Sequence, residues 1–494
     1  MNPAKGFFGH PSGLSTLFFT EMWERFSYYG MRAILILFMT TPAAADGLGL
    51  NVEESAAIYG LYTAAVYLLT LPGGWLADNV LGQQKAIWCG GLCILLGHAL
   101  LAIPAGKEVF FAGLACVAAG TGLLKPNIST LVGDLYPEGG ARRDAGFYLF
   151  YMGINIGSFL GQIAVSFAAE KVNWHLGFGL AAVGMLLGLI QFRLRANTLG
   201  DAGVKPKARF TGTPSSTTST KTLLVFLILV VVLVALLHIT GVIDISTARG
   251  IAEAVGAVIV SVTLLYFLYI LVAGGLTREE RKRVLVIFAL FIGAALFWAG
   301  YEQHGSSFNL FARDYADRIV LGYELPAGSL QSLSPMFVVI LAPLFASLWI
   351  RLAALNLNPS MPVKFGLGLI TLALGFVVMY FAALVVTSGQ KPNITWLIFS
   401  YFLHAAGEMA VSPVGLSSVT KLSPPRYVGQ MMGIWFVGAA LGNLLAGLFA
   451  GGFDPHNPSE VPGLFLTVIT FTGTAGILFI LLNPILKKWM GSVQ

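Results

Sequence analysis

Residues 21–32 read EMWERFSYYGMR, and they lie inside an apolar run from about Leu14 to Met39. About 20 residues at ~1.5 Å rise each cover the hydrocarbon core of a bilayer, so the run is long enough to cross one. Yet it carries Glu21, Glu24, Arg25 and Arg32. A charge near the centre of a membrane helix costs ~2.5–3.5 kcal/mol even on lenient scales, so four in one span must face protein, water and one another. At ~100° per residue, Glu21, Glu24, Arg25, Tyr28, Tyr29 and Arg32 fall on one arc of less than half the helix. Trp23, Phe26 and Ser27 fall opposite, which offers lipid an uncharged wall. A charged, tyrosine-bearing stripe turned into a membrane bundle reads as a path for polar or ionic substrates.

The rest of the chain agrees with that reading. Of 494 residues, 56% are hydrophobic and only 11% charged, whereas a soluble domain carries about 25% charged residues. The net charge of +6 does not point to nucleic acid. The basic residues sit in short loops between apolar spans, which is a topology bias rather than a binding patch. Cys89, Cys93 and Cys116 all fall within apolar spans, with no metal-ligand spacing to histidine, and read as small core residues. The N-terminal MNPAKGFFGHPSG lacks the order of a cleavable signal peptide, so the first span reads as retained.

Periodicity and apolar length predict fourteen spans in an all-α integral membrane protein. The first six lie near 14–39, 53–76, 85–103, 109–131, 144–169 and 176–193. A polar stretch, 194–221, runs from KPKARF into the Ser/Thr-rich TGTPSSTTSTK. Two spans without a polar stripe follow near 222–240 and 250–272 and read as lipid-facing accessories. Six more lie near 280–311, 328–351, 362–386, 395–420, 426–450 and 462–486. The expected division is an N-terminal six-helix bundle at 1–193, a linker with two accessory helices at 194–275, and a C-terminal six-helix bundle at 276–494. The linker, the REERKR loop at 278–283 and Lys487–Lys488 then share one side, which places both termini in the cytoplasm.

This plan resembles the major facilitator superfamily, whose substrate site lies near the midplane between two halves. The turn GGWLADNVLGQQK, Gly73 to Lys85, resembles that superfamily's cytoplasmic loop signature. In that signature Asp78 would cap or pair at a neighbouring helix end in a gate. The first stripe narrows the resemblance. Glu21, Glu24-Arg25-Phe26 and Tyr28-Tyr29-Gly30 are similar to the opening motif of the proton-dependent oligopeptide transporters, also called the POT or PTR family. Phe147, Tyr148, Tyr151, Asn155 and Gly157 resemble a second signature of that family. Length and the two extra central spans extend the likeness over nearly the whole chain, as in a bacterial member.

The resemblance implies roles for other intramembrane polar groups. Lys125 follows GTGLL and precedes Pro126, and it needs an anion or loses its charge. It implies that Lys125 and Glu408 interact across the cavity, and that Arg32 pairs with Glu302, so that Arg32, Asp78, Lys125, Glu302 and Glu408 serve as gating residues. In FWAGYEQHGSS, residues 297–307, Trp298, Glu302 and Gln303 lie about one turn apart, and Trp298 lines the pocket by resemblance. Trp435, Tyr67, and the one-turn pairs Tyr151/Asn155 and Glu408/Ser412 complete the candidates. His304 and His404 read as bundle histidines satisfied by their neighbours. Animal relatives carry an important histidine in the second span. None occurs here between Glu53 and Leu76, so proton coupling falls to carboxylates.

These residues suit a dipeptide, which presents an amine, an amide and a carboxylate with variable side chains. Arg25, Arg32 and Lys125 are expected to take the carboxylate, arginine being suited to bidentate pairing. Glu408 is expected to take the amine, helped by Asn155. Tyr29, Tyr67, Tyr151, Trp298 and Trp435 provide amphipathic walls, with Gln303 and Ser412 adding polar contacts. Glu21, Glu24 and Arg25 are expected to couple proton movement to transport. The expectation is a proton-coupled symporter importing di- and tripeptides across a bacterial inner membrane. It needs no cofactor beyond the proton, no nucleic acid and no obligate protein partner. The alternatives are a nitrate or drug carrier of the same superfamily and a non-transporting nutrient sensor. An enzyme would need a metal cluster or nucleophile–base pair, and none has convincing spacing. No G-x-x-x-x-G-K-[ST] loop is present, so transport is not ATP-driven.

Overall fold

The computed structural model describes residues 6–137, 140–206, 232 and 234–491. Among these, 12 helices are long and apolar enough to cross a membrane. They correspond to every expected span except the first and the seventh. The first, α1 (Ser12–Thr40), is long enough but carries the four charges. The expected span 222–240 lies largely outside the described residues. The other helices are α2 (Val52–Leu81), α3 (Gln83–Leu101), α4 (Lys107–Asp134), α5 (Gly140–Lys171) and α6 (Trp174–Arg195). Then come α7 (Ala248–Ala273), α8 (Arg278–Tyr301), α9 (Leu333–Ala354), α10 (Met361–Thr387), α11 (Thr395–Leu422), α12 (Val428–Ala450) and α13 (Val461–Leu481). A two-residue antiparallel pair, Ile319–Val320 with Tyr323–Glu324, is the one strand pairing that forms a sheet among the described residues.

Helix is the form that satisfies every backbone polar group within its own segment, as lipid requires. Within α1, Thr20 hydroxyl donates back to the Thr16 carbonyl, so the polar side chain is satisfied too. The Thr41 N–H closes the last turn on Leu37, and Pro42 cannot continue it. At the start of α8, Thr277 and Glu280 form a reciprocal capping box in the polar loop.

The chain forms two compact units. The first comprises Met1–Leu50, Ala65–Lys221 and Leu325–Pro335; the second comprises Asn51–Ala64, Thr222–Glu324 and Met336–Gln494. In the first unit α1 packs on α5 and α6, and α3 packs on α4. In the second, α10 packs on α11 and α13, and α8 packs on α12. Without a hydrophobic force between helices in lipid, close packing depends on small residues. A Cβ at Gly157 of α5 would sit 2.0 Å from the Met22 carbonyl of α1, and one at Gly161 would sit 2.2 Å from the Phe26 carbonyl.

That approach changes the picture of α1. The face with Trp23, Phe26 and Ser27 is not a uniform outer wall, for Trp23 alone of the three is half-exposed. Phe26 and Ser27 are buried, and Phe26 packs where Gly184 of α6 leaves room. Much of the uncharged side is covered because α5 and α6 supply glycines to it, which a wheel of α1 alone does not reveal. The cysteines also differ from expectation. Cys89 is exposed, and Cys93 and Cys116 are half-buried, all as free thiols on outward-turned parts of α3 and α4.

Candidate functional site

In the first unit the charged stripe of α1 folds onto itself. Arg25 Nε lies 2.7 Å from Glu21 Oε1, to which it donates a hydrogen bond, and 2.8 Å from Glu24 Oε2. All three side chains are almost fully buried. One guanidinium thus answers two carboxylates in a place where charge is expensive, and Lys125 of α4 lies near enough to Glu24 to add a second positive charge. Among the described residues both Glu24 oxygens lack a hydrogen-bond partner of good geometry, although the Arg25 charge is near. Helical spacing puts Glu21 on one face with both Glu24 and Arg25, three and four residues on, and Arg25 reaches sideways to its neighbour Glu24.

Tyrosines and a lysine continue this surface. The Arg25 guanidinium lies 5.6 Å from the Tyr28 ring centre and 6.0 Å from that of Tyr29, and the Arg32 guanidinium lies 5.6 Å from Tyr29. Lys125 Nζ sits 3.9 Å from the centre of the Tyr67 ring. The crossing of α2 and α4 sets that contact. A Cβ at Gly73 would lie 2.1 Å from the Gly122 carbonyl, a group that Pro126 leaves without its helical donor. The Asn127 amide donates to the Leu123 carbonyl, 2.6 Å away. Lys125 is close enough to Glu24 for their charges to interact. On α5, Asn155 is buried and donates to the Tyr151 carbonyl at 2.9 Å, and the Tyr151 side chain is exposed. Asp78 is exposed in the π-helical turn Ala77–Leu81 that ends α2.

The second unit handles its carboxylate differently. Glu408 of α11 accepts a 2.5 Å hydrogen bond from the Tyr301 hydroxyl of α8. Glu408 is half-buried, and Pro413, five residues on, interrupts the ladder of the same helix. Immediately after Tyr301 the chain leaves the α-helix. Glu302–Gly305 form a 3-10 turn before a short helix, Ser307–Asp314. The sequence predicts one continuous span over 280–311. Gly305, Ser306 and Ser307 are the local signal for the break, and irregular backbone at membrane depth is tolerated where protein surrounds it. Every residue of the turn is buried.

Gln303 is tied into this unit. Its amide nitrogen donates to the Ala446 carbonyl of α12 at 3.2 Å, and its oxygen accepts from Ser307 at 2.6 Å. Glu302 is buried beside it. Trp298 is half-buried and meets Tyr301 edge-on at 5.4 Å. Trp435 is buried, packed against Phe365 and over Gly415, where a Cβ would lie 2.2 Å from its ring. Ser412 has a buried hydroxyl without a partner among the described residues. Sequence reasoning missed Tyr301 and the direct bond between His304 and His404. For Tyr301 the available signal was its place beside Glu302.

With this geometry in view, comparison with known proteins is informative. Residues 84–459 match the family model described as POT family. A peptide transporter of Yersinia enterocolitica, YePEPT, is 42% identical, with 99% of this chain and 97% of the relative covered. A di-/tripeptide transporter of Lactococcus lactis subsp. lactis is 36% identical, covering 99% and 98%. Among solved structures, a peptide transporter POT in complex with sulfate shares 40% identity and a TM-score of 0.88, over 99% of this chain and 97% of that one. A POT family transporter in complex with 5-aminolevulinic acid shares 31% identity and a TM-score of 0.86, over 98% of each chain.

Proposed function

The chain belongs to the POT family, and from that premise we propose that it is a proton-coupled symporter that imports di- and tripeptides by alternating access. The observation that carries the reading is the pairing of two chemistries on one chain. The first unit offers Arg25, Arg32 and Lys125 among tyrosines, and the second offers a carboxylate, Glu408, held by a neutral donor. A zwitterionic peptide presents the complement of each. The names of the relatives support peptides, and 5-aminolevulinic acid, bound by one relative, also carries an amine at one end and a carboxylate at the other.

Arg25, Arg32 and Lys125 receive the substrate carboxylate, and Glu408 receives the amine, with Asn155 assisting. Tyr29, Tyr67, Tyr151, Trp298 and Trp435 bound the variable side chains, and Gln303 and Ser412 line the same region. Lys125–Glu408 and Arg32–Glu302 are charge partners that form and break during the cycle, and Asp78 belongs to the gating turn. Glu21, Glu24 and Arg25 couple the proton. A proton on Glu24 removes one of the two carboxylate charges that hold Arg25 and weakens the pull on Lys125, freeing both cations to meet an incoming carboxylate. The inside-negative potential adds ~2.3 kcal/mol per charge per 100 mV, so one proton per peptide is enough for accumulation. The protein resides in a bacterial inner membrane with both termini in the cytoplasm.

Reconstitution tests this reading. Liposomes containing the protein should concentrate dipeptide and tripeptide when given an inward proton gradient and an inside-negative potential, and only equilibrate them without either. Nitrate accumulation with no peptide uptake, or binding without transport, would overturn it.

A further inference from the structure

We propose that Tyr301 is a specificity-determining residue for the substrate amine, and that His304 and His404 are positioning residues that act through it. This rests on the reading of Glu408 as the amine's receiver. The Tyr301 hydroxyl donates to Glu408 Oε2, which leaves Oε1 as the carboxylate oxygen for an ammonium group. A neutral donor orients the carboxylate without cancelling its charge, which a lysine or arginine at this point would do. The hydroxyl therefore fixes one oxygen of Glu408 and leaves the other for the substrate.

A phenol carries out this task only if its ring is fixed, and the surroundings fix it. Phe297 stacks on one side at 5.7 Å and Trp298 meets it edge-on. The nearest of its ring neighbours is His304, 4.6 Å between centres. His304 sits in the 3-10 turn 302–305, beyond the end of α8, so the regular helix does not hold it. Instead His304 Nε2 bonds His404 Nδ1 at 2.7 Å, with the rings nearly parallel. Both imidazoles are buried, His404 completely. Phe376 and Phe308 flank His404, and its ring fills the place where a Cβ at Gly375 would lie 2.3 Å from Cδ2. Whichever ring donates, the shared proton links the turn of α8 to α11, the helix that carries Glu408 four residues beyond His404. Tyr301 and Glu408 are thus held to one geometry by a second bond one helical turn away.

The test uses the full-length protein in liposomes and compares a free dipeptide with its N-acetylated form. Tyr301→Phe should raise the half-saturating concentration for the free dipeptide about tenfold, the size expected for losing a hydrogen bond to a charged group. The acetylated form, which has no ammonium to offer, should be unaffected. His404→Leu should reduce the preference for the free amine about threefold, as a partial loss of that bond, and His404→Asn should restore it, because its amide can donate or accept near the Nδ1 position. In the Tyr301→Phe background, His404→Leu should add nothing. The proposal is overturned if Tyr301→Phe keeps the amine preference, if His404→Leu shifts both substrates equally, or if its effect is the same in both backgrounds. Glu408→Gln is the separate control. If it keeps the amine preference, the assignment of Glu408 itself fails; if it loses the preference while Tyr301→Phe keeps it, only the present proposal fails.

Discussion

In the first unit an arginine stands 2.7 Å and 2.8 Å from two carboxylates of its own helix, whereas in the second a single glutamate is answered across helices by a phenol at 2.5 Å. Both arrangements place carboxylates in a membrane protein, but under the proposed function they do different work. In the proposed reading the α1 cluster, buried and paired on its own helix with Lys125 nearby, suits a group that waits for a proton. In the same reading Glu408, half-buried beside a neutral donor, suits a group that waits for a cation. Burial and partner type, rather than residue type, separate the two roles.

Replacing each carboxylate by its amide is the sharpest way to break this comparison. Glu408→Gln should lower dipeptide affinity about 100-fold, since removing one side of a partly buried charge pair costs ~2–5 kcal/mol. Measured uptake and exchange should both fall, and full uptake would remove Glu408 from the site. Glu24→Gln should act on the energy and not on the binding. It should continue to exchange labelled for unlabelled dipeptide but lose about 50-fold of accumulation at 100 mV, the equivalent of one coupled charge. Retained accumulation in that variant would take Glu24 out of the coupling step.

A smaller effect probes the support of the first cluster. Gly157→Ala would set a methyl 2.0 Å from the Met22 carbonyl and push α1 off α5. We expect a loss of about 1–3 kcal/mol in stability, read as a lower unfolding temperature in detergent, with weaker coupling in what remains folded. An unchanged unfolding temperature would mean that the α1–α5 contact is looser than described.

The same contrast explains what the sequence made legible. The α1 cluster could be read directly because Glu21, Glu24 and Arg25 lie within four residues of one another in an otherwise apolar helix, where periodicity fixes the face. The boundaries of the apolar helices followed from length and hydropathy for the same local reason. Tyr301 and Glu408 are 107 positions apart, and His304 and His404 are 100 apart, so no local pattern joins them. The turn at 302–305 hid inside an apolar run that periodicity extends as one helix. The burial of Phe26 and Ser27 depended on glycines of α5 and α6, and a helix wheel contains no information about its neighbours.

The division of labour between cationic and anionic ends is tested most directly by uptake competition in liposomes, using a dipeptide, its N-acetyl form and its C-terminal amide against wild type, Glu408→Gln and Lys125→Ala. The account predicts that wild type discriminates against both blocked peptides, that Glu408→Gln loses only the discrimination at the amine, and that Lys125→Ala weakens only the discrimination at the carboxylate. Equal loss at both ends in either variant, or full discrimination retained in both, would contradict it.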